Sequence, residues 1–375
     1  MKLLIVGGCG QQVQPAINYL LEQDTFSTIV IGDINFDAAK QLVEERNNSK
    51  LIARHIDALN YEQLVDEMSD VDVVYNASGP YYLLGLKVLE AAIEAGKHYV
   101  DFCDDAEPTL EMIKLSDKAA AAGITAIVGL GATPGYSNLL AMQGVAQLDK
   151  TEEVNICWHS SMHEPSGIAS LEHMFHIMSG DVIQFLDGES ELVPALSEME
   201  LAEQFDTPER VMYSAFVGHP EPATLPNYIT GVEQVTCRYT DTMEMLGLFL
   251  GVQQIGFLSN EPVALKGGAV SPASLLAVML NNIPHEEVPE DEKFGFGIDV
   301  IGQKDDEDVT IRYDVKAVAD LTALTSMPAA LGAELLARGD ITRLGVFPPE
   351  GCVEPKSIIE PMNSMKLLNL SVEKI

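Results

Sequence analysis

Over the first 130 residues, short apolar runs alternate with longer segments whose apolar residues recur every three or four positions. The apolar runs are KLLIVG, STIVIGD, LIARHID, VDVVYNAS, HYVDF and ITAIVGLG. Continuous apolar strands separated by amphipathic helices are typical of a parallel sheet buried on both faces. We therefore predict a doubly wound α/β domain over residues 1–132.

The pattern changes after GLGATPGYSNLL. Segments such as EEVNICWHSS, ERVMYSAFVGH and DVTIRYDVKAVAD alternate apolar and polar residues, which predicts a second α+β domain with a mixed sheet over residues 133–322. The acidic segment NNIPHEEVPEDEKFG indicates a surface loop within it. A last helix, SMPAALGAELLARG, and an extended tail complete residues 323–375.

Composition and charge limit the kinds of molecule that the chain can bind. The formal net charge is −35 and the isoelectric point is about 4.3, so nucleic acids and anionic membrane surfaces would be repelled. No apolar run reaches the roughly 18 residues that span a bilayer. Five scattered cysteines without a CxxC pair favour reduced thiols in the cytoplasm over disulfides, and no metal site is expected.

The first strand and helix enclose a glycine-rich turn, GGCGQQV. Gly8 and Gly10 satisfy the first two glycines of a dinucleotide-binding turn, whereas Val13 stands where a third glycine is usual. That third glycine serves close helix–strand packing rather than phosphate contact. Asp33 ends the second strand, where a carboxylate meets the adenosine ribose. The pattern predicts a nicotinamide dinucleotide site, with a tight structural turn as the alternative.

Asp33 also bears on which dinucleotide binds. A carboxylate at this place accepts hydrogen bonds from a free 2′-hydroxyl and repels a 2′-phosphate. No arginine follows it, and the next basic residue is Lys40. We predict NAD as the cofactor, with NADP as the alternative.

Two further loops follow strands of the predicted sheet. YNASGPY places Asn76 and its neighbours after the fourth strand, and HYVDFCDD places Asp101, Cys103 and Asp104 after the fifth. The carboxyl ends of parallel strands form the ligand edge of an open sheet. One of these carboxylates is a candidate to hold an amine or to transfer a proton. For Asp104, the alternative is that it caps the next helix together with Asp105.

Three segments resemble the saccharopine dehydrogenase-like family, which includes saccharopine reductases, lysine 6-dehydrogenases and carboxynorspermidine dehydrogenases. They are DVVYNASGPYYLLGLKVLEAAIEAGKHYVDFCDD, AAAAGITAIVGLGATPGYSNLLAMQGVAQLD and TSMPAALGAELLARGDITRLGVFPPE. The resemblance implies a Rossmann domain, a second mixed-sheet domain, a terminal helix that packs back on the first, a homodimer formed through the second domain's sheet, and NAD(P)-linked chemistry at a carbon–nitrogen bond.

The resemblance, the loops and the polar and aromatic residues of the second domain together give the candidate site residues. Those assigned to the cofactor are Gly8, Gly10, Gln11, Gln12, Val13, Asp33, Asp57, Asn76, Ala77 and Pro80. Those assigned to the substrate are Cys103, Asp104, Pro134, Gly135, Asn138, Trp158, Arg210 and Arg238. The candidates for proton transfer are Asp101, His159 and His219.

The predicted second domain is poor in cations. Between Lys150 and Lys293 the only basic residues besides histidines are Arg210, Arg238 and Lys266. Because several carboxylates usually require several arginines, the tricarboxylate saccharopine fits less well than a lysine- or polyamine-like amine. Together with the carbon–nitrogen chemistry that the resemblance implies, this leads us to expect an oxidoreductase acting on a C–N bond of a small amine. The alternative is a non-catalytic NAD(H) sensor or partner protein on the same fold.

Overall fold

The computed structural model describes residues 1–161, 167–202, 205, 210–282, 289 and 293–375. The chain divides into a first unit, residues 1–139 and 322–365, and a second unit, residues 140–321 and 366–375. The last ten residues thus lie in the second unit, not in a tail on the first. Most of the acidic loop expected near residues 281–295 lies outside the described residues, as does His163.

The first unit is built on a seven-stranded sheet in which all neighbouring strands are parallel. Elements are numbered in chain order, and the strands of this sheet are β1 (Lys2–Val6), β2 (Thr28–Asp33), β3 (Leu51–His55), β4 (Val73–Asn76), β5 (His98–Asp101), β6 (Thr125–Ile127) and β17 (Gly345–Phe347). Their order is β17-β6-β5-β4-β1-β2-β3. The predicted doubly wound fold is confirmed.

Helices connect these strands and carry the C-terminal part of the unit. They are α1 (Gln14–Glu22), α2 (Phe36–Arg46), α3 (Tyr61–Met68), α4 (Tyr81–Ala95), α5 (Ala106–Ile113), α6 (Ser116–Ala121), α7 (Tyr136–Val145), α12 (Leu321–Arg338), α13 (Pro349–Cys352) and α14 (Lys356–Ser364). Helix α7 crosses into the second unit.

Local sequence explains where several helices begin. The Asn35 side chain accepts a hydrogen bond from the N–H of Ala38 at the start of α2, and Asn60 does the same for Gln63 at the start of α3. Such caps satisfy amide donors that the helix itself leaves without acceptors. The segment after α12, expected as an extended tail, instead contributes β17, α13 and α14. Its apolar run, GVF, is only three residues long and signals a strand weakly.

The second unit contains a nine-stranded mixed sheet and a separate hairpin. Its strands are β7 (Lys150–His159), β8 (Asp181–Leu186), β9 (Glu189–Pro194), β10 (Glu200–Leu201), β11 (Met212–Phe216), β12 (Gln234–Thr242), β15 (Gly295–Lys304), β16 (Glu307–Ala317) and β18 (Leu368–Lys374), with β13 (Val263–Leu265) and β14 (Gly268–Val270) forming the hairpin. Its helices are α8 (Ile168–Ile177), α9 (Glu221–Thr224), α10 (Met243–Gln254) and α11 (Pro272–Asn281).

The central strands of this sheet set which side chains share a face. The path runs β10-β11-β12-β7-β15-β16-β18, and only β12 and β7 pair in parallel. Trp158 is in register with Tyr239, and Cys157 with Arg238. Successive strand residues point to opposite faces, so Trp158 and Tyr239 share one face while Cys157 and Arg238 share the other. None of the described helices is long and apolar enough to cross a membrane.

Candidate functional site

The strand order reverses between β1 and β4, and open α/β sheets bind ligands at such a reversal, beyond the carboxyl ends of the strands. Two loops meet there: residues 7–13 after β1 and residues 77–80 after β4. Gly7 has φ of +78°, and a Cβ added to it would lie 2.8 Å from the Ser78 Cα. Only glycine permits both that conformation and that approach. Gly7 was not among the predicted site residues, although the doubled glycine of GGCG marks it.

Val13 lies at the end of the first of these loops. Its side chain is fully buried, and the residue precedes the first turn of α1. The carbonyl oxygens of the turn are held by Gln14, whose Nε2 donates to the oxygens of Gly8 at 3.0 Å and Gly10 at 2.7 Å. The turn and the N-terminus of α1 fit the pyrophosphate of a dinucleotide.

Asp33 lies beside this turn at the end of β2. Its carboxylate accepts hydrogen bonds from the N–H groups of Cys9 at 3.0 Å and Asn35 at 2.9 Å. Lys40, the basic residue that follows it in sequence, is paired with Asp37 at 2.7 Å and lies over the Phe36 ring. The carboxylate is thus held in a fixed orientation next to the glycine turn, and the nearest cation in sequence is engaged elsewhere.

A hydrogen-bonded chain links the loops after β4, β5 and β6. Asn76 Nδ2 donates to the Tyr99 hydroxyl at 3.0 Å, and that hydroxyl donates to Asp101 Oδ2 at 2.6 Å. Asp101 Oδ1 accepts from the N–H groups of Cys103 at 3.0 Å and Gly129 at 2.7 Å. The Asp101 carboxylate therefore joins the loops after β5 and β6 directly, and Tyr99 connects it to Asn76 at the end of β4.

The Asp101 carboxylate has no exposed surface. Burial raises the pKa of Asp101 to about 6, although its three hydrogen-bond donors favour the charged form and act in the opposite direction. Burial also raises the pKa of the neighbouring Cys103 thiol well above its ordinary value. A thiol in this environment is a poor nucleophile, in agreement with the structural role of a buried cysteine.

Other predicted residues of the first unit lie around these loops. Asn138 is fully buried; its Oδ1 accepts from the Gly135 N–H at 2.8 Å and its Nδ2 donates to Glu350 at 3.0 Å. Asn138 thus holds the turn between β6 and α7 together. Of the remaining predicted residues, Gln11 is exposed and Pro134 is buried. The half-buried ones are Gln12, Asp57, Ala77, Pro80 and Asp104.

In the second unit, His219 and Glu221 form a buried pair. His219 Nδ1 lies 2.7 Å from Glu221 Oε2, and both side chains are almost completely enclosed. The Trp158 ring lies 5.7 Å from the His219 ring and 4.9 Å from the Tyr239 ring. Sequence reasoning identified His219 and Trp158 but missed Glu221, because the pairing depends on the short helix α9 that begins at Glu221.

His219, Glu221 and Cys237 offer ligand atoms that all lie within 4.8 Å of one another. The His219–Glu221 separation of 2.7 Å is that of a hydrogen bond. Neighbouring ligands around zinc stand farther apart, since each lies about 2.0–2.3 Å from the metal in tetrahedral directions. The arrangement suits a shared proton better than an ion.

Two other predicted residues of this unit are placed apart from that pair. His159 Nδ1 lies 3.0 Å from the backbone oxygen of Thr240. Arg238 stacks on the Phe216 ring and pairs with Glu200 at 3.2 Å, on the sheet face opposite Trp158. There it lines a cavity of about 500 Å³ with Cys157, Asp299 and Arg312. The structure therefore does not bring Arg238 together with Trp158 and His219; Arg210 is half-buried.

Known proteins are similar to this chain over almost its full length. Residues 3–127 match the saccharopine dehydrogenase NADP binding domain, and residues 131–367 match the saccharopine dehydrogenase C-terminal domain. Carboxynorspermidine synthases of Vibrio cholerae and Vibrio alginolyticus are 26% and 24% identical, over 98% of this chain and 96% of each relative. Apo saccharopine dehydrogenase (L-Glu forming) from Saccharomyces cerevisiae has the same fold, with a TM-score of 0.73 at 14% identity over 100% of this chain and 99% of that one.

The contact between Gly7 and Ser78 yields a first prediction. We expect Gly7→Ala to weaken NADH binding at least tenfold, because the added methyl group displaces the loop after β4. Gly96→Ala is the matched control, since Gly96 also has a positive φ, +66°, but open space around it. Fluorescence titration with NADH measures both. Equal affinity of Gly7→Ala and the wild type would contradict the assignment of the crevice.

The raised pKa of Asp101 yields a second prediction. The folded chain binds this proton more tightly than the unfolded chain, so the Asp101 contribution to the free energy of unfolding falls as pH rises from about 4 to above 6, by about 3 kcal/mol. Asp101→Asn has no such titration. We expect its stability relative to the wild type to increase across that window, measured by urea unfolding. The control is Asp24→Asn, at an exposed aspartate, whose free energy of unfolding relative to the wild type should not rise across this pH window. A free-energy difference between Asp101→Asn and the wild type that does not change with pH would refute the prediction.

Proposed function

The chain belongs to the saccharopine dehydrogenase family, and we propose that it is an NAD(P)-dependent oxidoreductase that acts on a C–N bond of a small amine. Family members are NAD(P)-dependent dehydrogenases. The observation that carries the proposal is the open glycine turn against α1 with Asp33 beside it. There the turn and the helix N-terminus receive the pyrophosphate, and Asp33 receives the adenosine ribose.

The proposal further assigns NAD rather than NADP. Asp33 keeps its carboxylate at the ribose position through the N–H groups of Cys9 and Asn35. A 2′-phosphate placed there would face this negative charge, and Lys40, the next basic residue in sequence, is paired with Asp37. A free 2′-hydroxyl, by contrast, donates a hydrogen bond to the carboxylate.

When bound, the nicotinamide accepts or donates a hydride; the residues of the chain orient and protect that exchange. In the first unit, Asp101 acts as a positioning residue, since its buried carboxylate accepts from Cys103 and Gly129 and so holds the loops after β5 and β6 together. Rigid placement of this edge is what brings reacting atoms to productive distance.

In the second unit, His219 is the group we assign to proton transfer at the substrate nitrogen. Oxidation of an amine releases a proton, and the reverse reaction consumes one. Glu221 holds His219 Nδ1 at 2.7 Å, which leaves Nε2 to exchange the proton. His159, whose Nδ1 is occupied by the Thr240 carbonyl, is the second candidate for this role. Trp158 borders the His219 ring and is assigned to the wall of the substrate site.

We assign the substrate to lysine- or carboxylated polyamine-type amines. Among the three basic residues between Lys150 and Lys293, Arg238 is engaged by Glu200 and Phe216, and Lys266 lies in the turn of the exposed β13–β14 hairpin. A substrate with several carboxylates would lack partners of opposite charge in this segment. The names of the Vibrio relatives, carboxynorspermidine synthases, support a carboxylated polyamine.

Asp33→Asn tests the choice of nucleotide. We expect the ratio of NADPH to NADH affinity to rise at least tenfold, because the variant removes the charge that opposes a 2′-phosphate and weakens the ribose contact. Titration of both nucleotides by fluorescence measures the ratio. The control is Asp24→Asn, which removes one charge from an exposed position at the opposite end of β2. An unchanged ratio in Asp33→Asn would rule out this role.

His219→Gln tests the proton-transfer role. We expect kcat to fall about 10²- to 10⁴-fold with little change in NADH affinity, and Glu221→Gln to lower kcat about tenfold by releasing the imidazole. The control is His176→Gln, at a half-buried histidine of α8. Wild-type kcat in His219→Gln, with wild-type thermal stability, would exclude the assignment.

A screen over lysine, carboxylated polyamines and saccharopine, in both directions and with NAD and NADP, tests the reaction itself. We expect turnover with an amine that carries at most one carboxylate. Faster turnover of saccharopine would overturn the substrate class. Binding of NADH without turnover of any amine would instead favour a sensor of the nucleotide.

A further inference from the structure

Two polar side chains, Gln14 at the start of α1 and Arg46 at the end of α2, form a hydrogen-bonded series that ends on the glycine turn. Gln14 Nε2 donates to the carbonyl oxygens of Gly8 at 3.0 Å and Gly10 at 2.7 Å. Gln14 Oε1 accepts from Arg46 Nη2 at 2.7 Å. We call Gln14 and Arg46 the brace of the turn.

Arg46 determines which way the Gln14 amide faces. Its other terminal nitrogen, Nη1, donates to Asn18 Oδ1 on α1, so both ends of the guanidinium are used on that helix. A guanidinium has donors only and a carbonyl oxygen accepts only. The Gln14 oxygen must therefore face Arg46 and the Gln14 NH₂ group must face the turn. Because the Arg46 donor is charged, this bond is stronger than one between neutral groups.

The brace also holds one peptide group together with Asp33. In a trans peptide the C=O and the following N–H point in opposite directions, and the bond between Gly8 and Cys9 is trans. With the Gly8 oxygen on Gln14, the Cys9 N–H points the other way and donates to Asp33 Oδ2 at 3.0 Å. Gln14 and Asp33 therefore hold the two ends of one peptide group.

The next braced peptide group presents a donor that the protein itself does not use. With the Gly10 oxygen on Gln14, the N–H of Gln11 points away from the brace. Within the part of the chain that the structure describes, this N–H donates to no protein acceptor, and Gln11 is exposed. Backbone N–H groups at the entry to a helix are the donors that bind phosphate oxygens.

Given the proposed nucleotide site, on which this assignment rests, we propose that Gln14 orients the turn toward the pyrophosphate and that Arg46 holds Gln14 in place. Both are positioning residues, because they act on the nucleotide through the backbone of the turn. Gln14 then couples the two parts of the site: it directs the Gln11 N–H to the phosphates and supports the Cys9 N–H that holds the Asp33 carboxylate for the ribose.

Gln14→Glu separates this role from a simple contact between helices. The variant keeps the size of the side chain and its pairing with Arg46, but it replaces the Nε2 donor by an oxygen that repels the two carbonyl oxygens. We expect NADH binding to the full-length chain, measured by fluorescence titration, to weaken by roughly tenfold or more, with thermal stability little changed. The matched control is Gln41→Glu, the same change at an exposed position of α2, which should bind NADH like the wild type.

A double-mutant cycle with Asp33→Ala tests the shared peptide group. Substitutions that act on one hydrogen-bonded network are not additive. We expect the combined Gln14→Glu, Asp33→Ala variant to lose NADH affinity by a factor roughly threefold or more below the product of the two single losses. A contact between α1 and α2 alone would give the full product.

Hydrogen exchange of residues 7–13, followed by mass spectrometry without nucleotide, tests the brace independently of binding. We expect faster exchange in Gln14→Glu than in the wild type and Gln41→Glu. Unchanged exchange, wild-type NADH affinity in Gln14→Glu, an equal loss in Gln41→Glu, or a double loss equal to the product would each overturn the assignment of Gln14. A wild-type chain that binds neither NADH nor NADPH, with the exchange difference present, would instead overturn the proposed function.

Discussion

Gly7 lets the turn after β1 lie directly on the backbone of Ser78, and the ligand edge of the first unit depends on this approach. A Cβ at Gly7 would come within 2.8 Å of Ser78. With that contact made, the turn leads into α1, Gln14 donates to the carbonyls of Gly8 and Gly10, and Asp33 lies beside the turn, at the position that we propose for the adenosine ribose. Because residue 7 has no side chain, the two loops can approach closely enough to form the crevice proposed for the dinucleotide.

Asp101 stabilises the other half of that edge at an electrostatic cost. Its burial disfavours the charged form and raises the pKa to about 6, yet the ionised carboxylate is the one that accepts from Tyr99, Cys103 and Gly129. A buried charge that is fully hydrogen-bonded gives a rigid, specific arrangement at some expense of stability. Such a compromise is common where loops must be held for chemistry rather than for folding alone.

The polar groups of the second unit lie on two opposite faces of its sheet. The pair His219 and Glu221 is enclosed with Trp158 and Tyr239, whereas Arg238 lies on the opposite face with Glu200 and Phe216. Acid–base chemistry is therefore assigned to the enclosed pair and not to the sheet face that carries Arg238.

The sequence alone was enough to predict the doubly wound domain, the glycine turn with Asp33 beside it, and the family. These features depend on local periodicity and on residues close along the chain. It also predicted a mixed sheet in the second domain. Only the tertiary structure decided that Val13 is buried, that the buried Asp101 carboxylate joins the loops after β5 and β6, that Glu221 orients His219, and that β17 and β18 come from the C-terminal segment. Those features join residues from separate strands and loops: Asp101 and Gly129 are 28 positions apart, and no local pattern encodes a contact that depends on which strands become neighbours.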